Sequence, residues 1–300
     1  MKKAYIWLFL VLLATYIILA FGLPTDPKVL SRYELSQTEA RLANLTVVLP
    51  FTLIYLTALY GFVRFSRYAE SVQDSKEGPN LVRIARGLMI LALSLPLGSV
   101  VSTLNTFIRH RYPHWATETI VIRNYLALII AFIAIYFIAQ GIEGLYHTLN
   151  KRTVSELPFY GFLLPVSLAS IFTWLITMQH NSSGTVQTYD LPDGVIIATL
   201  VIPYTFIWCV GIRAAIQLYD YQASVKGTVY RVALQNISKG IAVLIFTSVF
   251  LQFLTTLSEQ LNRLSLTPIL VIVYILIILY AIGYGFVARG AKKLSQIEEV

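Results

Sequence analysis

VLPFTLIY, residues 48–55, recurs as VIPYTFIW, residues 201–208. The offset is 153 residues, and it holds without a gap from residues 48–104 to residues 201–257, with 13 of 57 positions identical. The aliphatic matches carry little information, because apolar segments resemble one another by composition. Three other matches carry more. Pro50 and Pro203 fall at the same depth of an apolar run, YAESV pairs with YQASV in a polar connection, and Arg86-Gly87 pairs with Lys239-Gly240. Outside this core, FIAIYFIAQGIEG resembles LIILYAIGYGFVARG, which sets Gly141 against Gly285.

The repeated phrase sits in a chain that does not belong in water. Of its 300 residues 57% are hydrophobic and 13% are charged. Soluble domains carry about 25% charged residues. A span needs about 20 mostly apolar residues, and eight such segments are present, near 5–23, 45–64, 87–107, 122–144, 158–178, 195–216, 240–257 and 267–288. The first is read as a retained helix, because its apolar run exceeds the roughly 7–15 residues of a signal core. Four spans per copy is an even number, so both copies enter and leave on the same side. The expected fold is therefore all-α: residues 1–150 and 151–300 form two parallel four-helix repeats with a pseudo-two-fold axis along the membrane normal. Pro50 and Pro203 each remove one backbone hydrogen bond and favour a kink. Thr52 and Thr205 are placed to satisfy some of the freed groups.

The net charge of +8 does not indicate nucleic acid, since the basic residues lie in short loops without a basic stripe or stacking motif. They report topology. With both termini cytoplasmic, 16 Lys and Arg fall inside and seven outside, the direction that the positive-inside rule requires. The outer connection at 24–44 has room for a short surface helix. Cys209 has no second cysteine to pair with and reads as a buried packing thiol.

Polar residues at lipid depth concentrate in the third and seventh spans. Ser94, Ser99, Ser102 and Asn105 lie in one, and Ser248, Gln252 and Thr256 in the other. Positions 94, 98 and 102 share a helix face, as do 248, 252 and 256. Two readings fit. Small hydroxylated residues let membrane helices approach closely, or the two faces line a polar path or pocket between the repeats. Gln252 argues for the pocket, because an unpaired amide in lipid costs several kcal/mol.

Ionisable residues within spans are scarce. Glu143 and Arg213 lie near inner ends, where they can pair or snorkel, which argues against an ion-driven pump. The histidines His110, His114, His147 and His180 are not placed to ligate a haem or a metal, and nucleotide, metalloprotease and hydrolase motifs are absent. The sequence thus leads to a non-enzymatic, cofactor-free and metal-free membrane protein. It binds or passes a small uncharged or amphipathic solute between its repeats. The alternatives are a scaffold or accessory subunit that holds a membrane-protein partner or a second copy of itself, and an intramembrane lipid-modifying enzyme.

The orientation is testable with single cysteines at Ser71, Ser224 and Ser182 in a Cys209→Ser background. An impermeant thiol reagent on intact cells is expected to label the Ser182 position alone. Labelling at either of the others without it reverses the topology.

Overall fold

The computed structural model describes residues 2–23, 30–31, 34, 36–111, 116–150, 202–225, 227–256 and 266–298. The described residues form seven long helices: α1 (Lys2–Gly22), α2 (Gln37–Ser71), α3 (Gly78–Arg111), α4 (Ala116–Asn150), α5 (Ile202–Ser224), α6 (Thr228–Thr256) and α7 (Leu266–Glu298). Six of them, all but α5, are long and apolar enough to cross a membrane. The described residues carry helices and no strand, and by length and composition their six long apolar helices make the chain a multi-pass membrane protein. The expected spans at 5–23, 45–64, 87–107, 122–144, 240–257 and 267–288 each fall on one helix. The span at 158–178 lies outside the described residues, as does most of what precedes α5.

The helices extend beyond the apolar runs that announce them. At 35 residues, α2 is about 52 Å long, against about 30 Å of hydrocarbon. Its start is fixed by a capping box. The Ser36 hydroxyl accepts from the Glu39 backbone N–H, and the Glu39 carboxylate accepts from the Ser36 N–H. Residues 37–44 are thus the first turns of α2, while residues 30 and 31 of the same connection are helical on their own account. The helix runs on through Pro50. The Thr52 hydroxyl donates to the Val48 carbonyl at 2.8 Å, whereas the carbonyl deprived of its donor by Pro50 is that of Thr46. Thr52 therefore does not play the expected rescuing part.

Apolar faces point outward on several sides. Leu42, Leu45, Leu49, Leu53, Leu56 and Tyr60 make one exposed stripe on α2, and Val271, Tyr274, Ile275, Ile278 and Ile282 make another on α7. In water such faces would drive aggregation; in lipid they cost nothing. Cys209 is exposed, on the same α5 face as Phe206, Ile212 and Ile216. It is not the buried packing thiol expected from its apolar neighbours, because its register places it opposite the packed face of Val210, Ala214 and Leu218.

Inside, helices meet through small residues. From α2 to α6 each packs on its successor, and α7 returns to pack on α2, while α1 lies against α2 and α3. Gly87 of α3 sits against Ala134 and Ile138 of α4, and Gly141 of α4 sits against Asn80 and Ile84 of α3. The pair α6–α7 is built alike: Gly240 meets Gly283 and Val287, and Gly290 meets Ala233 and Ile237. Positions 233 and 237 lie 153 residues beyond 80 and 84. The glycine that meets them is Gly290, not Gly285, which has open space around it. The final helix is thus offset by 149 residues. Its best sequence alignment is FIAQG with FVARG, not the match that sets Gly141 against Gly285.

A Cβ on Gly141 would stand 2.6 Å from the Asn80 carbonyl, and one on Gly290 2.6 Å from that of Ala233. Gly141→Ala and Gly290→Ala are each expected to destabilise by about 1–3 kcal/mol through overpacking. Gly285→Ala and Gly98→Ala, in open space, should be neutral or stabilising. Thermal unfolding in detergent distinguishes the two pairs; equal effects would mean that these glycines do not set the helix spacing.

Candidate functional site

Hydroxyl groups in a membrane helix can satisfy themselves on their own backbone. Most of the polar residues of α3 do so. The Ser94 hydroxyl donates to the Leu91 carbonyl at 2.7 Å and that of Thr103 to the Ser99 carbonyl at 2.9 Å. Ser102 is half-buried on the same helix. Ser99 is different. Its hydroxyl lies 2.5 Å from the hydroxyl of Tyr55 on α2, a bond between helices. The side chains of Asn105, Ser248, Gln252 and Thr256 lie outside the described residues, as does that of Pro203. Among the described residues α3 and α6 make no extensive contact with one another, and Ser99 bonds a tyrosine of α2.

Tyr55 is the centre of an aromatic cluster that joins four helices. Its ring lies 6.1 Å from that of Tyr16 on α1 and 5.9 Å from that of Phe51. Tyr280 of α7 also stands close to Tyr55, and Tyr284 close to Tyr280, Tyr55 and Tyr5. The rings of Tyr280 and Tyr284 are stacked, with centroids 6.3 Å apart. Tyr5 closes the end nearer the termini: its ring packs edge-on against Phe62 at 4.9 Å, and its hydroxyl donates to the Met89 carbonyl of α3. Tyr5, Tyr16, Tyr55 and Tyr284 are buried, and Tyr280 is half-buried.

Local sequence places these rings. On α1, Tyr5, Phe9, Leu13 and Tyr16 follow the helical spacing of one face and are the buried residues of that helix. On α7, Tyr280 and Tyr284 are four residues apart and share a face. Tyr16, Tyr280 and Tyr284 make no hydrogen bond to any described residue through their hydroxyls, and none of the three oxygens is fully sealed. A buried tyrosine hydroxyl normally finds a partner, and in hydrocarbon the alternative costs several kcal/mol. Three donors near the middle of their helices thus converge beside one satisfied pair. They are neutral groups that can offer hydrogen bonds to a carbonyl, ether or hydroxyl oxygen and ring faces to an apolar body.

Sequence reading missed this cluster. Five tyrosines in otherwise aliphatic runs were the available signal, but polar character was sought in serine, threonine and amide groups. Toward the C-terminal end of α4, Glu143 is joined by His147, with Nε2 3.7 Å from the carboxylate oxygen, in keeping with a local pair. Among the described residues no group of three or more His, Cys, Asp or Glu side chains is placed to hold a metal ion. No protein family, curated protein or solved structure matches this chain.

Removing the Tyr55 hydroxyl (Tyr55→Phe) or the Ser99 hydroxyl (Ser99→Ala) is expected to cost about 0.6 kcal/mol, the mean for such bonds between membrane helices. The double variant should cost no more than either alone. A reversible unfolding titration in mixed micelles measures the cycle, and strictly additive losses would deny the bond.

Proposed function

We propose that this is an eight-span, non-enzymatic membrane protein that binds or passes a small uncharged or amphipathic solute where two parallel repeats meet. The repeat reading draws support from packing. The order of helix contacts is unchanged when α2, α3 and α4 exchange with α5, α6 and α7. Buried residues coincide under the same exchange, as in Ile54 with Ile207, Phe65 with Leu218, Leu81 with Leu234, Ile138 with Val287 and Leu145 with Leu294. The two glycine-lined contacts do so as well. The described chain leaves one pole at Asn150 and resumes from the opposite pole at Ile202, as eight crossings require. Both termini then share a pole, which the excess of Lys and Arg assigns to the cytoplasm.

The carrying observation is the set of three tyrosine hydroxyls, Tyr16, Tyr280 and Tyr284, without a hydrogen bond to any described residue. They stand where α1, α2 and α3 of the first repeat meet α7 of the second. Among the described residues the cluster contains no carboxylate or imidazole to serve as acid or base, which favours binding over catalysis. A ligand that supplies oxygen acceptors at mid-depth would satisfy the donors, and the stacked rings would cover its apolar part.

The test is retention. Protein purified in mild detergent is expected to carry a lipid-soluble compound detectable by native mass spectrometry. The Tyr16→Phe/Tyr280→Phe/Tyr284→Phe variant should fold, lose that compound, and be at least as stable as wild type stripped of it, since without the compound Phe removes only unsatisfied oxygens. A variant that folds, retains the same compound and co-purifies with the same proteins as the wild type would sink the pocket reading and favour the scaffold.

A further inference from the structure

A second cluster lies at the pole that carries the termini. Its members come from four separate elements: Tyr68 near the end of α2, Glu77 just before α3, Tyr221 near the end of α5 and Tyr230 at the start of α6. The Tyr230 hydroxyl donates to Glu77 Oε2 at 3.1 Å. The Tyr68 and Tyr230 rings stand 6.3 Å apart at 46°. Glu77 and Tyr230 are separated by 153 residues, which is the sequence offset of the repeat, and the same offset relates Tyr68 to Tyr221. Equivalent positions of the two halves therefore touch each other here, and the Tyr68–Tyr230 contact has its counterpart in the approach of Tyr221 to Glu77.

A plain structural pin between equivalent positions needs no charge, and a tyrosine at both would serve. Position 77 instead holds a half-buried carboxylate whose one hydrogen bond comes from a neutral phenol, and no described Lys, Arg or His pairs with it. Taking a carboxylate out of water without a counter-ion is unfavourable. Tyr221 is fully buried, and its hydroxyl makes no hydrogen bond to a described residue, although it faces Glu77 and Tyr230. Burial, and then the neighbouring Glu77 carboxylate, push its ionisation up, so it remains a neutral phenol whose oxygen can accept a hydrogen bond. The Tyr68 and Tyr230 rings are adjacent, and the face of an aromatic ring attracts a cation.

We propose that this cluster binds a protonated organic amine: the Glu77 carboxylate neutralises the charge, Tyr221 accepts an N–H, and the rings of Tyr68 and Tyr230 cover the alkyl part. One carboxylate and three neutral phenols make a poor set for a divalent metal. An unfilled acceptor on Tyr221 favours an ammonium with N–H groups over a quaternary one. Such an ion is available either as a free amine or as the head of an aminophospholipid, since the cluster lies at one membrane surface.

Methylammonium is the probe, followed by saturation-transfer NMR and calorimetry on the full-length protein in lipid-free micelles. Methylammonium is expected to bind at least tenfold more tightly than tetramethylammonium. Glu77→Gln should abolish binding, and Asp74→Asn, which removes a nearby exposed charge, should leave it unchanged. Tyr221→Phe, which preserves the ring should Glu77→Gln misfold, is expected to weaken methylammonium binding without affecting tetramethylammonium. In nanodiscs, competition by phosphatidylethanolamine but not by phosphatidylglycerol would identify a lipid head as the source; no competition from either would identify a free amine. Absence of methylammonium binding to the wild type, or equal affinity in Glu77→Gln, overturns the assignment and leaves the cluster a pin. Neither result bears on the tyrosine site at mid-depth, which is read from a different ligand.

Discussion

The close approach of α3 to α4, and of α6 to α7, is the constraint on which the remaining architecture rests. In lipid, burying an apolar side chain against another helix gains little, because the lipid tails are equally apolar. Contact must come from backbones that approach within van der Waals distance. Gly87 and Gly141 provide this on one pair, and Gly240 and Gly290 on the other. Each uses two glycines that face opposite ways across the seam, so neither helix can rotate or slide without driving a carbonyl into the space a Cβ would need. These rigid pairs hold the other helices in place: α2 docks on α7 where Gly61 meets Ala288, and α5 docks on α4 and α6.

With that frame fixed, polar groups within it acquire definite neighbours. A hydroxyl on any helix in lipid can satisfy itself on its own backbone, as those of Thr15, Thr57 and Thr247 do. Only a helix held in register can present a group to another helix reliably. Ser99 reaches Tyr55 across the α2–α3 contact, and Ser238 reaches the Ala215 carbonyl at 2.9 Å across the α5–α6 contact. The two bonds belong to corresponding helix pairs but to different depths, so the halves share a frame without sharing their chemistry.

How much of this was legible follows from what each signal depends on. Lipid demands long apolar runs, so the existence of the helices was readable. Their ends were less so, because hydropathy reports the membrane core rather than the helix; the capping box at Ser36 and Glu39 was written in the sequence as SQTE and marked the true start of α2. The 153-residue offset was readable because no insertion interrupts residues 48–104 or their counterparts. The register of the last helix was not, since the second copy is shorter by four residues before α7 and a local similarity around Gly285 competes with the correct match at Gly290. The tyrosine cluster was the hardest part. Helical spacing puts Tyr280 and Tyr284 on one face, but nothing in one chain's sequence says that this face meets Tyr55 of α2 and Tyr5 of α1.

Around that cluster, residues at the 153- and 149-residue offsets differ in chemistry. Under the offsets that relate the repeats, Tyr55 corresponds to Trp208, Ser99 to Gln252, Tyr280 to Ala131 and Tyr284 to Ile135. Two phenols on α7 thus stand opposite aliphatic residues on α4, while the hydroxyl pair on α2 and α3 is matched by an indole and an amide on α5 and α6. A duplicated pair of identical sites would face two ligands or none. Two of the three tyrosines whose hydroxyls bond no described residue, Tyr280 and Tyr284, therefore lie on α7, with no hydroxyl at the offset positions of α4. The glycines that set helix spacing are retained in both halves, because any Cβ there separates the backbones. Substitution at the tyrosine positions changes which oxygens are unsatisfied but leaves the backbone contacts intact. The backbone contacts are therefore alike in the two helix pairs, while the side chains at the tyrosine positions and their offset counterparts differ.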